Sequence, residues 1–311
     1  MPLRPSEVDA MTTAQFPDEQ IDGAFARQED AFTNWVTADG SSGYPAVAGR
    51  YHLYVSLACP WAHRTIIVRS LKKLEDAIGM TVVDPIRDDR GWAFQDHFLS
   101  EAYMESDPGY LGRVTVPVLW DEHAKRIVSN NDDHIMRMLE IEFDAVAGRH
   151  DLDFYPEQHR SEIDALNAEI YESVNNGVYR AGFATEQAAY ASAAEAVFNE
   201  LDRLEARLAR SRFLFGTSPA ETDWRLFVTL IRFDSVYFGH FKCNLRRIVD
   251  YPNLWGYLRD LYQFRDVAAT VNFDHIKRHY YMTHDEINPT RIVPIGPQLD
   301  LLSAHGRERM S

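Results

Sequence analysis

Hydrophobic and polar positions follow one rhythm in the first half of the chain and another in the second. From residue 51, "YHLYVSLA" alternates and is rich in aromatic and β-favouring side chains, which predicts a strand. "PWAHRTIIVRSLKKLEDAIG" then places apolar residues at Ile66, Ile67, Leu71 and Leu74 and stops at Gly79, which predicts a helix. "MTVVDPI" reads as a second strand, and a long polar stretch runs from Arg87 to Gly112. "RVTVPVLWD" and "RIVSN" read as a strand pair around "EHAK", and "DDHIMRMLEIEF" as a helix. The order is β-α-β, then β-β-α. After "YPEQHRS" the period turns helical: "SEIDALNAEIYESV", "EQAAYASAAEAVFNELDRLEARLA", "TDWRLFVTLIRFDSVYF" and "NLWGYLRDLYQF" are amphipathic stretches with short breaks. The fold class is therefore α/β plus all-α. Residues 1–47 are expected to form an extension lying on a domain, 48–145 the α/β domain, 155–285 the helical domain and 286–311 a tail.

Composition narrows the partners. At 311 residues the chain is long enough for two domains, and no apolar run approaches the length of a membrane span. The N-terminus "MPLRPSEVDAMTTAQF" lacks the apolar core of a signal peptide, so a cytoplasmic protein with no membrane partner is expected. A formal net charge of −15, without any long basic cluster, argues against nucleic acid. Only five of the 32 cationic residues are lysine. Salt adaptation and a GC-rich genome that favours arginine codons explain that skew equally well. Two cysteines, Cys59 and Cys243, cannot make a disulfide framework, and at least one is expected to stay a free thiol in a reducing compartment.

The chemistry centres on "SLACPWAHRT", where Cys59 stands directly before Pro60 at the end of a strand-like run. Proline is favoured at the first helical position, which puts Cys59 where an N-cap would sit. There the free N–H groups and the helix dipole favour thiolate over thiol. A buried cysteine acting as a small apolar residue is the competing reading. Val116-Pro117, inside a strand-like run, fits a cis peptide at a strand start, because a trans proline would break the pairing. Strand, Cys, Pro and helix followed by β-β-α with a proline opening the third strand is the thioredoxin-like arrangement. Residue 62 is Ala, so no Cys-x-x-Cys and no internal resolving thiol exists.

"YVSLACPWAHR", "GWAF", "GRVTVPVLWD", "NNGVYRAGFA", "RFDSVYFGHFKCN" and "HYY…INPTRIVPIGP" together resemble the xi-class glutathione transferases, the glutathionyl-hydroquinone reductases, from about residue 48 to 297. The resemblance implies a glutathione-transferase fold: an N-terminal thioredoxin-like domain followed by an all-helical domain with a hydroquinone pocket. It implies Cys59 as nucleophile and Tyr179 as proton donor to the departing ring. Tyr237 and Tyr280 would surround and stabilise the thiolate. Trp92 would stack on the thiol cosubstrate, Arg113 pair with its carboxylate, and the run Val114, Thr115 and Val116 pass beside it, with the Val116 backbone pairing to the peptide. Pro60 and Pro117 shape the site. The resemblance further implies no tightly bound cofactor, glutathione (or γ-glutamylcysteine) as cosubstrate, a small-molecule thiol and quinone or hydroquinone conjugates as partners, and a homodimer.

At one place the sequence departs from the family. An adjacent Glu-Ser is usual where this chain has Asn131-Asp132, the expected γ-glutamyl site at a helix N-terminus. The Asp132 carboxylate would repel the cosubstrate's own carboxylate if it faced it; the alternative is that Asp132 caps the helix while Asn131 meets the ligand. In both arrangements the acidic, lysine-poor composition leaves room for another thiol such as γ-glutamylcysteine. The rivals to the reductase reading are a glutaredoxin-like deglutathionylase or dehydroascorbate reductase, and a non-catalytic ligand-binding member. Cys243 is expected to pack, and His275, His279 and His284 lack a convincing third ligand, so no metal is expected.

Overall fold

Alternation at Tyr51–Val55 becomes strand β1, with Tyr51, Leu53 and Val55 buried and the residues between them half-exposed. The chain then forms helix α1 (Pro60–Leu71), strand β2 (Ile78–Val82), helix α2 (Leu99–Ser106), strands β3 (Val118–Asp121) and β4 (Arg126–Ser129), and helix α3 (Asp132–Ile141). The sheet order is β2-β1-β3-β4. β1 and β2 are parallel, Tyr51 facing Ile78, because α1 carries the chain back across the sheet. β3 pairs antiparallel with both β1 and β4. This is the thioredoxin-like sheet that the pattern predicts. The computed structural model describes residues 19–88 and 90–310. They fall into two compact units: Arg27–Leu152 with Thr270–Thr283, and residues 19–26 with Asp153–Ala269 and 284–310.

In the first unit, α1 is buried almost all round, polar residues included. Those residues must find partners. His63 Nε2 meets Thr270 Oγ1 at 2.8 Å, and Arg64 Nη1 donates to Asp132 at 2.7 Å and Asp133 at 3.0 Å, tying α1 to the first turn of α3. Residues 32–34 of the extension line the open edge of β4: Asn34 N donates to Val128 O and Asn130 N to Phe32 O, both at 3.0 Å. An uncovered strand edge invites pairing with another chain, and this segment removes the hazard. The extension thus lies on the α/β unit from residue 27 onward. Residues 19–26, with a two-residue hairpin Gln20–Ile21/Ala24–Phe25, group with the helical unit. Residues 1–18 lie outside the described residues.

The second unit contains α4 (Arg160–Ile170), α5 (Gly177–Gly182), α6 (Gln187–Leu208), α7 (Glu221–Arg232) and α8 (Pro252–Tyr262). α7 is buried along its whole length, as a core helix must be. Its charges are matched locally, with Arg225 and Asn167 both on Glu221, at 2.6 and 2.9 Å. π-helical turns follow α4 (Tyr171–Asn175) and α7 (Phe233–Tyr237).

Three features differ from the sequence reading. Helix α9 (Phe273–Thr283) clusters with the α/β unit and not with the helical one: His279 Nδ1 donates to Pro85 O at 2.8 Å, and the His279 ring stacks on Trp92. The polar stretch from Arg87 to Gly112 holds α2 and a small hairpin, Ala93–Phe94/His97–Phe98. The strand expected over "RVTVPVLWD" begins only at Val118. Among the described residues no helix is long and apolar enough to cross a membrane.

Candidate active site

Cys59 is the N-cap of α1, with an extended backbone (φ −73°, ψ 123°) and Pro60 opening the helix. The thiol does not itself cap the first turn by a hydrogen bond. His63 N donates to Cys59 O at 3.0 Å, so the backbone closes the first turn while the thiol stands at its positive end. Cys59 is half-exposed. Its Sγ lies 3.5 Å from Val116 O, and the Val116–Pro117 bond is cis.

The segment before that bond is held by side chains and not by a strand ladder. Tyr103, fully buried on α2, donates from its hydroxyl to Thr115 O at 3.0 Å and accepts from Thr115 N at 3.1 Å. Burial pushes the phenol up to about 12, which keeps it neutral and able to do both. Asn130 Nδ2 donates to Thr115 Oγ1 at 3.1 Å. Val114 and Val116 are buried, and Arg113 offers its carbonyl to Tyr110 Oη at 2.6 Å. Trp92 is buried, with one face stacked on His279 (ring centroids 5.1 Å, 23° between planes).

Asn131 and Asp132 take roles that reverse the expectation. Asn131, not Asp132, caps α3: its Oδ1 accepts from His134 N at 2.8 Å. Its Nδ2 donates to Asp30 Oδ2 in the extension, also at 2.8 Å. Asp132 is committed to Arg64, whose side chain is wholly buried. Asp132 thus gives a buried cation a counter-charge.

In the helical unit, Tyr179 and Tyr237 belong to one aromatic cluster. Tyr237 stacks on Phe241 (5.4 Å, 13°), and Tyr179 meets Phe241 edge-on at 5.3 Å and Tyr237 at 6.1 Å. Gly182 lets Phe241 approach: a Cβ there would sit 2.2 Å from the ring. Each tyrosine lies beside or within a π-turn, and buried Asn175 anchors the first of these through Arg225 O and Thr229 Oγ1. Such turns are frequent at functional sites. Tyr280, on α9, belongs to the α/β unit and is buried.

Family models described as the N-terminal and C-terminal domains of glutathione S-transferase match residues 58–141 and 187–260. The glutathionyl-hydroquinone reductase YqjG of Escherichia coli is 50% identical over 92% of this chain and 93% of its own. The glutathione-bound structure of YqjG superimposes with a TM-score of 0.87 at 50% identity, covering 93% of this chain and 98% of that one. A xi-class glutathione transferase from Natrialba magadii gives 0.89 at 48% identity, over 93% and 94%. The chain belongs to the xi-class glutathione transferases.

In this xi-class chain the residues that pattern reading passed over are the ones that hold the loop and the cap. Tyr103 and Asn130 carry no motif, and Asp30 stands a hundred positions from Asn131 in an extension without periodicity. Cys243 is buried, and burial pushes its thiol up to about 12, so it packs. His284 is in a ring stack with His240, while His279 binds Pro85 O. No group of three His, Cys, Asp or Glu side chains among the described residues could hold a metal ion.

Proposed function

We propose that this chain reduces glutathionyl-hydroquinones at the expense of a γ-glutamyl thiol, with Cys59 as nucleophile. The observation that carries the reading is the Cys59 thiol at the N-terminus of α1, opposite the cis Val116–Pro117 bond. The substrate class is supported by the name of the E. coli relative, and the thiol by the glutathione in its structure. The Cys59 thiolate attacks the thioether sulfur of the conjugate. An S–S bond forms, the bond from sulfur to the ring carbon breaks, and its electron pair takes a proton on the ring, releasing hydroquinone. Tyr179 delivers that proton. A second thiol attacks the mixed disulfide, leaves as the oxidised dimer and restores the thiolate. Tyr237 and Tyr280 favour the thiolate, Trp92 and Arg113 hold the peptide, and Val116 pairs with its backbone. Asn131 and the first turn of α3 receive the γ-glutamyl head, which glutathione and γ-glutamylcysteine share. A cytoplasmic homodimer completes the reading.

Mass spectrometry after incubation with a glutathionyl-hydroquinone tests it. One glutathione on Cys59, none on Cys243, and release of free hydroquinone are expected. Adducts only with simple mixed disulfides would favour a deglutathionylase, and no adduct at all a non-catalytic member.

A further inference from the structure

The extension brings one carboxylate to the cap of α3. Residues 32–34 are fixed on β4 by backbone pairing, and Phe32 N also donates to Asn130 Oδ1 at 2.9 Å. Phe32 packs edge-on against Tyr103 at 5.6 Å. Two residues upstream, Asp30 reaches Asn131 Nδ2 through one oxygen. Its other oxygen has no hydrogen-bond donor, and Asp30 makes no salt bridge, among the described residues. Burial raises its carboxyl above the ordinary range; the Asn131 contact and the charge of Arg27 counter this in part. Asp30 is half-buried, and partial desolvation without a salt bridge is a cost to a carboxylate that a cation relieves.

Local charge points the same way. Asp30, Asp132 and Asp133 lie around Asn131; Arg64 is bound to Asp132 and Asp133, and Arg27 and His134 act on Asp30 from nearby while Asp133 opposes them. The head of a γ-glutamyl thiol is a zwitterion. Its α-carboxylate suits a helix N-terminus and its α-ammonium suits a carboxylate.

We infer that Asp30, carried in by the extension and oriented by Asn131, is a specificity-determining residue that binds the α-ammonium of the γ-glutamyl cosubstrate. The role rests on the γ-glutamyl site proposed above and adds a residue to it. Asn131 thereby has a double duty: its carbonyl caps α3 and its amide presents the acid. The residue that selects for the γ-glutamyl amine then lies outside the α/β fold proper.

Binding of S-methylglutathione and of its analogue lacking the α-amino group, measured by calorimetry on the full chain, tests the assignment. The wild-type protein should prefer the amine-bearing ligand at least tenfold. Asp30→Asn keeps an acceptor for Asn131 and removes only charge, so the preference should fall below threefold with little change in binding of the des-amino ligand. Asp30→Glu should restore part of it. A preference unchanged in Asp30→Asn overturns the role of Asp30 and leaves the γ-glutamyl site standing, as does equal weakening of both ligands. Should Asp30→Asn unfold, Asp30→Glu and Asp30→Ser are compared by the same ratio, which a purely structural loss would not move. Wild-type protein that binds neither ligand overturns both readings. An Asp30-dependent preference in a protein that forms no Cys59 adduct keeps the inference and removes the reductase.

Discussion

At Cys59 two influences on the proton oppose each other. The N-terminus of α1 favours thiolate, while Val116 O, an acceptor 3.5 Å away, favours thiol. A sulfur contact at that length is weak, and the positive end of the helix dipole acts directly on a charge at its N-cap, so the helix decides. Thiolate absorbance against pH should give a midpoint below the ordinary value of about 8.5, falling further with S-methylglutathione bound, because a peptide N–H on Val116 O removes the acceptor. A midpoint at or above 8.5 would contradict this. Cys59→Ser should abolish reductase turnover, and Cys243→Ser should spare it. For Tyr179, only release of the ring needs a proton. Tyr179→Phe should slow hydroquinone release by about 10²-fold and leave reduction of a simple mixed disulfide nearly unchanged. Equal losses in the two assays would mean that the ring only packs against Phe241.

Among elements, helices with sustained period and caps were legible, and so were β1, α1 and the cis proline, because each is written in contiguous residues. Helix α2 was not: eight residues in a polar stretch carry too little period to stand out. The strand predicted over 113–117 failed for a local reason. Pro117 lacks an N–H, and Tyr103 occupies both backbone groups of Thr115, so a ladder has nothing to pair with there. α9 groups with the α/β unit, although residues 155–285 read as one helical domain in the sequence, because its partners, Pro85 and Trp92, lie nearly two hundred residues upstream. A separation of 101 residues likewise hid the Asp30–Asn131 pair. Tyr103→Phe tests how much this buttress matters. It leaves the Thr115 N–H and C=O without the hydroxyl, which should cost about 1–3 kcal/mol in denaturant unfolding and raise KM for the thiol more than it lowers kcat. Unchanged stability with unchanged KM would show the loop to be self-supporting.

For the molecule as a whole, acid stability depends on groups whose effects have opposite sign. In the helical unit, Asp223 is fully buried, accepts from Leu214 N at 3.0 Å, Ala220 N at 2.7 Å and Tyr257 Oη at 2.7 Å, and is nevertheless raised by burial to about 6. The folded chain holds that proton more tightly than the unfolded chain does. The stability it contributes is present below pH 3.8 and is lost as pH rises through 6, by about 3 kcal/mol. His240 behaves in the opposite way. Burial, helped by the charge of Lys242, lowers its imidazole to about 4, and its Nε2 lies 3.1 Å from His284 Nδ1, a hydrogen bond that holds one proton between the two nitrogens and has no place for a second. Its contribution is complete above 6.5 and disappears as pH falls through 4, again by about 3 kcal/mol. The two windows overlap, so acidification between them strengthens one part of the helical unit while weakening another. Variants separate the pair. Relative to His240→Gln, the wild-type protein should lose about 3 kcal/mol of unfolding free energy between pH 7 and pH 4. Relative to Asp223→Asn it should gain a similar amount over the same range. Differences of one sign for both variants, or none for either, would mean that these two buried groups do not govern the acid response and that the unit's charge balance lies elsewhere.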